Sequence, residues 1–310
     1  MIVLQQETPS WGKTLSEKTL EELLPFSMVV IDKPCGPSSH EVASFVKKIL
    51  GVSKTGHSGT LDPEVSGVLP VLLGEATKAA GYLLKDRKRY VGIMKLRVPK
   101  TAQQIETAFA RFRGKIYQKP PLKSAVRREL RIREVFSLDL LEVDGPFSLF
   151  ECEVEAGTYI RKLCSDVGDV LECGGLMAEL RRTVSSGFDE SRCVSLQKLS
   201  DALWLWKEKN DPEPLRHLLI PVEQAVFLKK VVASDGALKA ITTGADLAIP
   251  GILELDETIR TGDPIQIVTG KGELMCFAKS LMDSDEIRGR EKGIAFDIAR
   301  VIRSHGIYFK

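Results

Sequence analysis

Lys54-Thr-Gly-His-Ser-Gly-Thr-Leu-Asp62-Pro63-Glu64-Val-Ser-Gly67 is the stretch around which the chain is organised. Its glycines, Gly56, Gly59 and Gly67, allow tight turns and close backbone approach. Pro63 has a fixed φ and biases Asp62 towards an extended conformation. The apolar run Val68-Leu-Pro-Val-Leu-Leu73 that follows reads as a buried strand. A carboxylate held out of a small-residue loop is available as a nucleophile, a base or an electrostatic stabiliser. An Asp-Pro turn without chemistry has the same local signature, so the loop alone leaves both readings open.

Outward from this loop, the 310 residues suit one large or two ordinary domains with a sizeable core. Apolar content of 43% and charged content of 28% are those of a soluble globular protein. No apolar run is long enough to span a membrane, and Met1 to Gln6 lack the basic start of a signal peptide. Six cysteines form no C-x-x-C pair, which points to reduced thiols in a cytoplasmic protein and against zinc or disulfides. His40, His217 and His305 lack the partners that metal binding needs.

The net charge of +2 hides an asymmetry. Between Arg111 and Arg133 nine basic residues face only Glu129, so this arm carries +8 and the rest of the chain −6. A concentrated basic arm on a mildly acidic body points to a polyanionic partner, with Lys119, Lys123, Arg127 and Arg128 as candidate RNA contacts. A solvated loop is the plainer alternative. Pro120-Pro121 stops regular structure there.

Periodicity places the remaining elements. Thr14 to Leu24 reads as a short amphipathic helix ended by Pro25, and Met28 to Ile31 as a strand. Ser39 is the expected N-cap of a helix over Glu41 to Leu50, with Val42, Phe45, Val46 and Ile49 inward. Tyr90 to Val98, Ile132 to Leu140 and Phe147 to Glu155 read as strands, and Ala102 to Arg111 as a helix. A further helix begins near Thr158, with Arg161 in its first turn beside the apolar stripe. Strands separated by isolated helices predict an α+β domain with a mainly antiparallel sheet. Asp211-Pro-Glu-Pro214 and Pro221 mark a hinge, after which glycine turns between short strands predict a small β-barrel. The expected division is an N-terminal extension over 1–25, a catalytic domain over 26–225 and an RNA-binding domain over 226–310.

Gly56-His-Ser-Gly-Thr-Leu-Asp62-Pro63 resembles the catalytic motif of the TruB-type pseudouridine synthases, and four further stretches resemble that family's other motifs in the same order. These are Asp32-Lys33-Pro34 with Gly36 to His40, Arg89-Tyr90-Val91, Gly157-Thr-Tyr-Ile-Arg161, and Glu179-Leu-Arg-Arg-Thr183. Within the family, Pro120-Pro-Leu-Lys-Ser-Ala-Val126 is similar to the archaeal dyskerin-like catalytic subunits of H/ACA guide-RNA complexes. Ala237 to Gly251 and Gly262 to Ile267 resemble a PUA domain, which implies RNA contacts around Gly244, Pro250 and Gly251. From Leu228 onward, twelve basic and twelve acidic residues balance, so shape rather than bulk charge would govern those contacts.

The resemblance implies isomerisation of uridine to pseudouridine in a flipped nucleotide, with no cofactor. Asp62 would act at the ribose, as nucleophile at C1′ or base at C2′, with Arg161 beside it as its cation. Tyr90 would stack on the base and handle the C5 proton. Lys33 would brace the loop or meet a phosphate, His57 would hold the flipped nucleotide, and Leu180 would pack on the base. The implied partners are an H/ACA guide RNA, an rRNA or tRNA substrate, a small zinc-ribbon protein, a small β-barrel protein on the catalytic domain, and a kink-turn-binding ribosomal-type protein. A stand-alone tRNA pseudouridine-55 synthase and a non-catalytic RNA scaffold are the alternatives. Ser165, Gly174 to Met177 and Ser38 depart from the family pattern, at positions away from Asp62, Tyr90 and Arg161.

Overall fold

Residues 88–96 alternate in burial, with Lys88, Tyr90, Gly92, Met94 and Leu96 on one inward face. That period of two is what a strand imposes, and it sets the geometry of everything near Asp62. The computed structural model describes residues 1–84, 86–119 and 129–308. It divides into two compact units, one of Val29–Leu72 and Ala80–Leu218, the other of Met1–Met28, Leu73–Ala79 and Leu219–Lys310.

In chain order the strands up to the second unit's return are β1 (Ile2–Val3), β2 (Ser27–Lys33), β3 (Thr55–His57), β4 (Ser66–Leu73), β5 (Lys88–Leu96), β6 (Gly114–Gln118), β7 (Arg131–Asp144), β8 (Phe147–Val154), β9 (Gly175–Ser185) and β10 (Phe188–Asp189). In the Asp62 unit they form a sheet in the order β2-β4-β9-β5-β8-β7-β6. Strands β9, β5, β8, β7 and β6 pair antiparallel, while β4 meets β9 in parallel, setting Gly67 opposite Arg182. A Cβ on Gly67, whose φ is +103°, would lie 2.2 Å from the Arg182 carbonyl oxygen, so only glycine allows this approach. Helices Ala102–Ala110 and Ile160–Val170 bury Ile105, Ala108 and Phe109, and Ile160, Leu163, Cys164 and Val167, in one core with Met94 and Phe150.

The second unit continues with β11 (Ile220–Pro221), β12 (Lys229–Ala233), β13 (Leu247–Ala248), β14 (Ile252–Leu255), β15 (Pro264–Val268), β16 (Leu274–Ser280) and β17 (Ile294–Val301). Its sheet runs β1-β14-β12-β15-β16-β17-β13, over a core that includes Val231, Ile252, Ile267 and Phe296. Lys18, Glu223, Glu273 and Arg303 are all buried in this unit. Lys18 Nζ stands 2.9 Å from Glu273 and Arg303 Nη2 3.0 Å from Glu223, with the Arg303 guanidinium 3.7 Å from the centre of the Phe26 ring.

Several local expectations are corrected. The single helix over 14–24 is interrupted at Lys18, which is extended, and a helix restarts at Leu20–Leu23. The reason is two successive capping boxes, Thr14 with Glu17 and Thr19 with Glu22, each of which begins its own turn. Ser38, not Ser39, caps helix Ser39–Leu50 through a box with Glu41, and Phe45 is exposed. Within the region read as a hinge, Glu213–Leu218 is helical, with Pro214 in the first turn, where no backbone N–H is required.

The basic arm is partly a hairpin, because β6 pairs with β7 from Gly114↔Val135 to Gln118↔Arg131. Arg113 and Arg133 are ion-paired to Asp139 and Glu155. Lys119 is exposed. Lys123, Arg127 and Arg128 lie outside the described residues. Among the described residues no helix is long and apolar enough to cross a membrane.

Candidate active site

The Asp62 loop is fixed by backbone hydrogen bonds on both sides of the aspartate. The Ser39 hydroxyl, fully buried, accepts from the Leu61 N–H at 2.7 Å and donates to the Leu61 carbonyl at 3.1 Å. Ser39 is thus spent on the loop, which is why its neighbour Ser38 caps the helix. On the other side, the Gly36 N–H donates to the Pro63 carbonyl at 2.9 Å. Lys33 is fully buried, and its ammonium group donates to the carbonyls of Pro34, Pro63 and Val65 at 2.9, 3.0 and 2.7 Å. Of the two roles open to Lys33, bracing the loop is the one this geometry supplies. Its three donors are committed to backbone carbonyls, and contact with a phosphate is not available to it. Burial holds the Lys33 ammonium below its ordinary pKa.

Between these anchors the Asp62 side chain is half-exposed and meets Arg161, whose Nη2 donates to Asp62 Oδ2 at 2.8 Å. The same nitrogen reaches Glu64 Oε2 at 3.2 Å, so one guanidinium serves two carboxylates. Arg161 is the second residue of helix Ile160–Val170, and Gln118 sets where that helix begins. The Gln118 side chain accepts from the Tyr159 N–H at 2.9 Å and donates to the Tyr159 carbonyl at 3.2 Å. A buried amide at the end of β6 therefore holds the turn from which Arg161 projects.

Tyr90 and Leu180 lie on adjacent strands in the same core cluster as Leu61 and Val65, each with 8 % of its surface exposed. Leu180 packs over Gly92, where a Cβ would come within 2.8 Å of it. The Tyr90 hydroxyl is hydrogen-bonded to Arg182, and burial raises its pKa against the effect of that guanidinium. The phenol is therefore neutral and able to donate. His57 ends β3 at the start of the loop, half-buried, and its Nδ1 has no hydrogen-bond partner among the described residues. Burial, reinforced by His40 and Arg182, keeps its pKa low. In the other unit, Gly244 has φ +93° in an exposed turn and Pro250 is exposed. A Cβ on Gly251 would stand 2.8 Å from the Ala237 side chain, so that glycine is demanded by packing.

Two buried cations near the loop were not legible as site residues. Arg182, 1 % exposed, donates to the Val68 carbonyl at 2.8 Å and the Gly59 carbonyl at 3.2 Å. It ties both flanks of the loop to Tyr90. Lys88, 4 % exposed, begins β5 on the same face as Tyr90. Strand parity is the signal that could have found them, since Arg182 follows Leu180 by two and Lys88 precedes Tyr90 by two. The arrangement can present a carboxylate at the surface, brace its loop from below and keep a neutral phenol in the same core.

Family models match along most of the chain. The TruB family pseudouridylate synthase N-terminal domain covers residues 47–160, the tRNA pseudouridylate synthase B C-terminal domain 161–227, and the PUA domain 229–302. The chain is 45% identical over 305 residues to a probable tRNA pseudouridine synthase B of Pyrobaculum aerophilum, covering 98% of this chain and 92% of that protein. A protein of the same description from Methanosarcina barkeri is 46% identical over 303 residues, covering 97% and 90%. Among solved structures, the chain is similar to one in a Cbf5-Nop10-Gar1 complex, at 43% identity and TM-score 0.89, covering 98% of this chain and 93% of that one. It is likewise similar to one in an H/ACA RNP bound to a substrate RNA containing 2′-deoxyuridine, at 39% identity and TM-score 0.89, covering 99% and 95%. With its motifs in order on this fold and relatives matched nearly end to end, the chain belongs to the TruB family of pseudouridine synthases, RNA uridine isomerases with a C-terminal PUA domain.

Proposed function

We propose that this enzyme is the catalytic subunit of an archaeal H/ACA guide-RNA complex and isomerises selected uridines in rRNA. The observation that supports this most is the match, through both units, to a Cbf5 chain crystallised with Nop10 and Gar1. Asp62 acts at the ribose of a flipped uridine, with Arg161 holding its carboxylate in place. Tyr90 faces the base and handles the C5 proton, Leu180 packs on the base, His57 holds the flipped nucleotide, and Lys33 braces the loop. Residues 26–225 carry the chemistry. Residues 226–310 grip the guide RNA near Gly244, Pro250 and Gly251. The companions are a small zinc-ribbon protein, a small β-barrel protein and, through the RNA, a kink-turn-binding ribosomal-type protein. The place of work is the cytoplasm.

The curated relatives carry the description of tRNA pseudouridine synthase B, which favours a second reading as a stand-alone enzyme on the TΨC loop. Tritium release from C5-labelled uridine, with and without guide RNA and companion proteins, separates the two. Guide-dependent release from rRNA fragments is expected. Full activity on a tRNA stem-loop alone, with no stimulation on rRNA, would establish the second reading instead.

A further inference from the structure

The charge around the Asp62 loop is unbalanced. On its exposed side, Asp62 and Glu64 both accept from the guanidinium of Arg161. Beneath it lie three buried cations, Lys33, Arg182 and Lys88, and among the described residues none of them is ion-paired to a carboxylate. Lys33 and Arg182 at least donate to backbone carbonyls. Lys88 does not: its Nζ is buried with no hydrogen-bond partner among the described residues. The Ser185 hydroxyl, on the residue paired with Lys88 across β5 and β9, is also buried and unpartnered. The Lys88 Cε would lie 3.9 Å from a Cβ built on Gly59, and Arg182 Nη1 3.5 Å from it, so both cations underlie the loop.

An unpaired buried ammonium is unfavourable, and methionine would fill the same space without that penalty. A charge kept against stability at the floor of a reaction loop points to the reaction. Breaking C1′–N1 leaves the bond pair on N1 of the uracil, which is an anion until C5 bonds to C1′; the C5 proton then leaves as N1 takes one up. Arg161 is already committed to two carboxylates and has little charge to offer that anion.

We propose that Lys88 is a positioning residue for the isomerisation, placing uncompensated positive charge with Arg182 beneath the loop and stabilising the detached uracil anion through Arg182 and the Tyr90 hydroxyl. The inference rests on Asp62 acting at the ribose. The charged groups that face Lys88 are Arg182 on β9 and Asp86 in the turn before β5. Burial, the larger effect, and Arg182 push its pKa down to about 8, while Asp86 opposes them. Its charge is therefore present at neutral pH and lost as pH rises through that value.

The test is single-turnover tritium release from a C5-tritiated uridine RNA, using the full chain with the guide and proteins that support its activity, from about pH 6 to about pH 10. The wild-type rate is expected to fall through about 8. Lys88→Met should remove that limb, lower the neutral-pH rate about tenfold and leave RNA affinity unchanged, while the thermal midpoint rises. A Met variant with the wild-type rate, or with the same alkaline limb, overturns the proposal. So does a lowered midpoint with unchanged rate, which would make Lys88 purely structural. Should the variant fail to fold, a wild-type profile flat to about pH 9 overturns the proposal and a fall centred near 8 upholds it. Absence of release from the wild-type protein on any RNA would instead count against the enzyme reading.

Discussion

Each unit buries a cluster of charges, and the two clusters are built on opposite principles. In the C-terminal unit, Lys18 and Arg303 meet Glu223 and Glu273, two cations against two carboxylates, with Phe26 covering the Arg303 guanidinium. Under the Asp62 loop, Lys33, Arg182 and Lys88 are buried with no carboxylate paired to them among the described residues. A matched cluster cancels its own charge, although Glu223 Oε2 and Arg303 Nε have no hydrogen-bond partner among the described residues, and it joins Lys18 near the start of the chain to Glu223, Glu273 and Arg303 far along it. An unmatched one leaves a field, which is useful only where negative charge arrives from outside the protein. Buried charge therefore means different things in the two units, and the balance of signs tells them apart.

The largest effect that would sharpen this contrast is on chemistry. Asp62→Asn keeps the side-chain shape and removes the charge that Arg161 meets at 2.8 Å. Pseudouridine formation should fall by more than about a thousandfold while RNA affinity stays near wild type. Measurable turnover by this variant would move the catalytic role to another carboxylate.

Next in size is a pair of stability measurements. Arg303→Met leaves two buried carboxylates with one cation and should destabilise the protein by about 3–5 kcal/mol in denaturant unfolding. Lys88→Met should act in the opposite direction. Its pKa of about 8, against the ordinary 10.5, means that burial of the charge costs about 3 kcal/mol at neutral pH. The unfolded chain binds the extra proton between those values, so wild-type stability should rise with pH through about 8 to 10.5. The Met variant should lack that rise. If both substitutions destabilise equally, the contrast between the clusters fails.

The smallest effect concerns the charge of the basic arm. Replacing Lys123, Arg127 and Arg128 together by Ala should reduce the salt dependence of RNA binding by up to about 0.7 per lost contact on a single strand. An unaltered slope in filter binding would assign the polyanion contact elsewhere.

The sequence by itself determined the family and most of the elements. Motif order, the Asp-Pro loop, the helical stripes over Ala102–Ala110 and Ile160–Val170 and the glycine-punctuated C-terminal strands are local patterns, readable because burial repeats with the period of the element. The Asp62–Arg161 pair came from the family resemblance, and the structure places the two side chains in contact. Only the tertiary structure decided what the polar residues touch. Ser38 and Ser39 are equivalent cap candidates in sequence. Leu61, far along the chain, takes the hydroxyl of one of them and leaves the cap to the other. Lys33 is an ordinary turn lysine until three carbonyls surround it. Arg181 and Arg182 are neighbours, yet strand parity sends Arg181 to Asp32 on the partly exposed face and buries Arg182 under the loop. Composition cannot say which of two adjacent arginines loses its water. The register of β9 against β4 and β5 does, because a shift of one residue would exchange their faces.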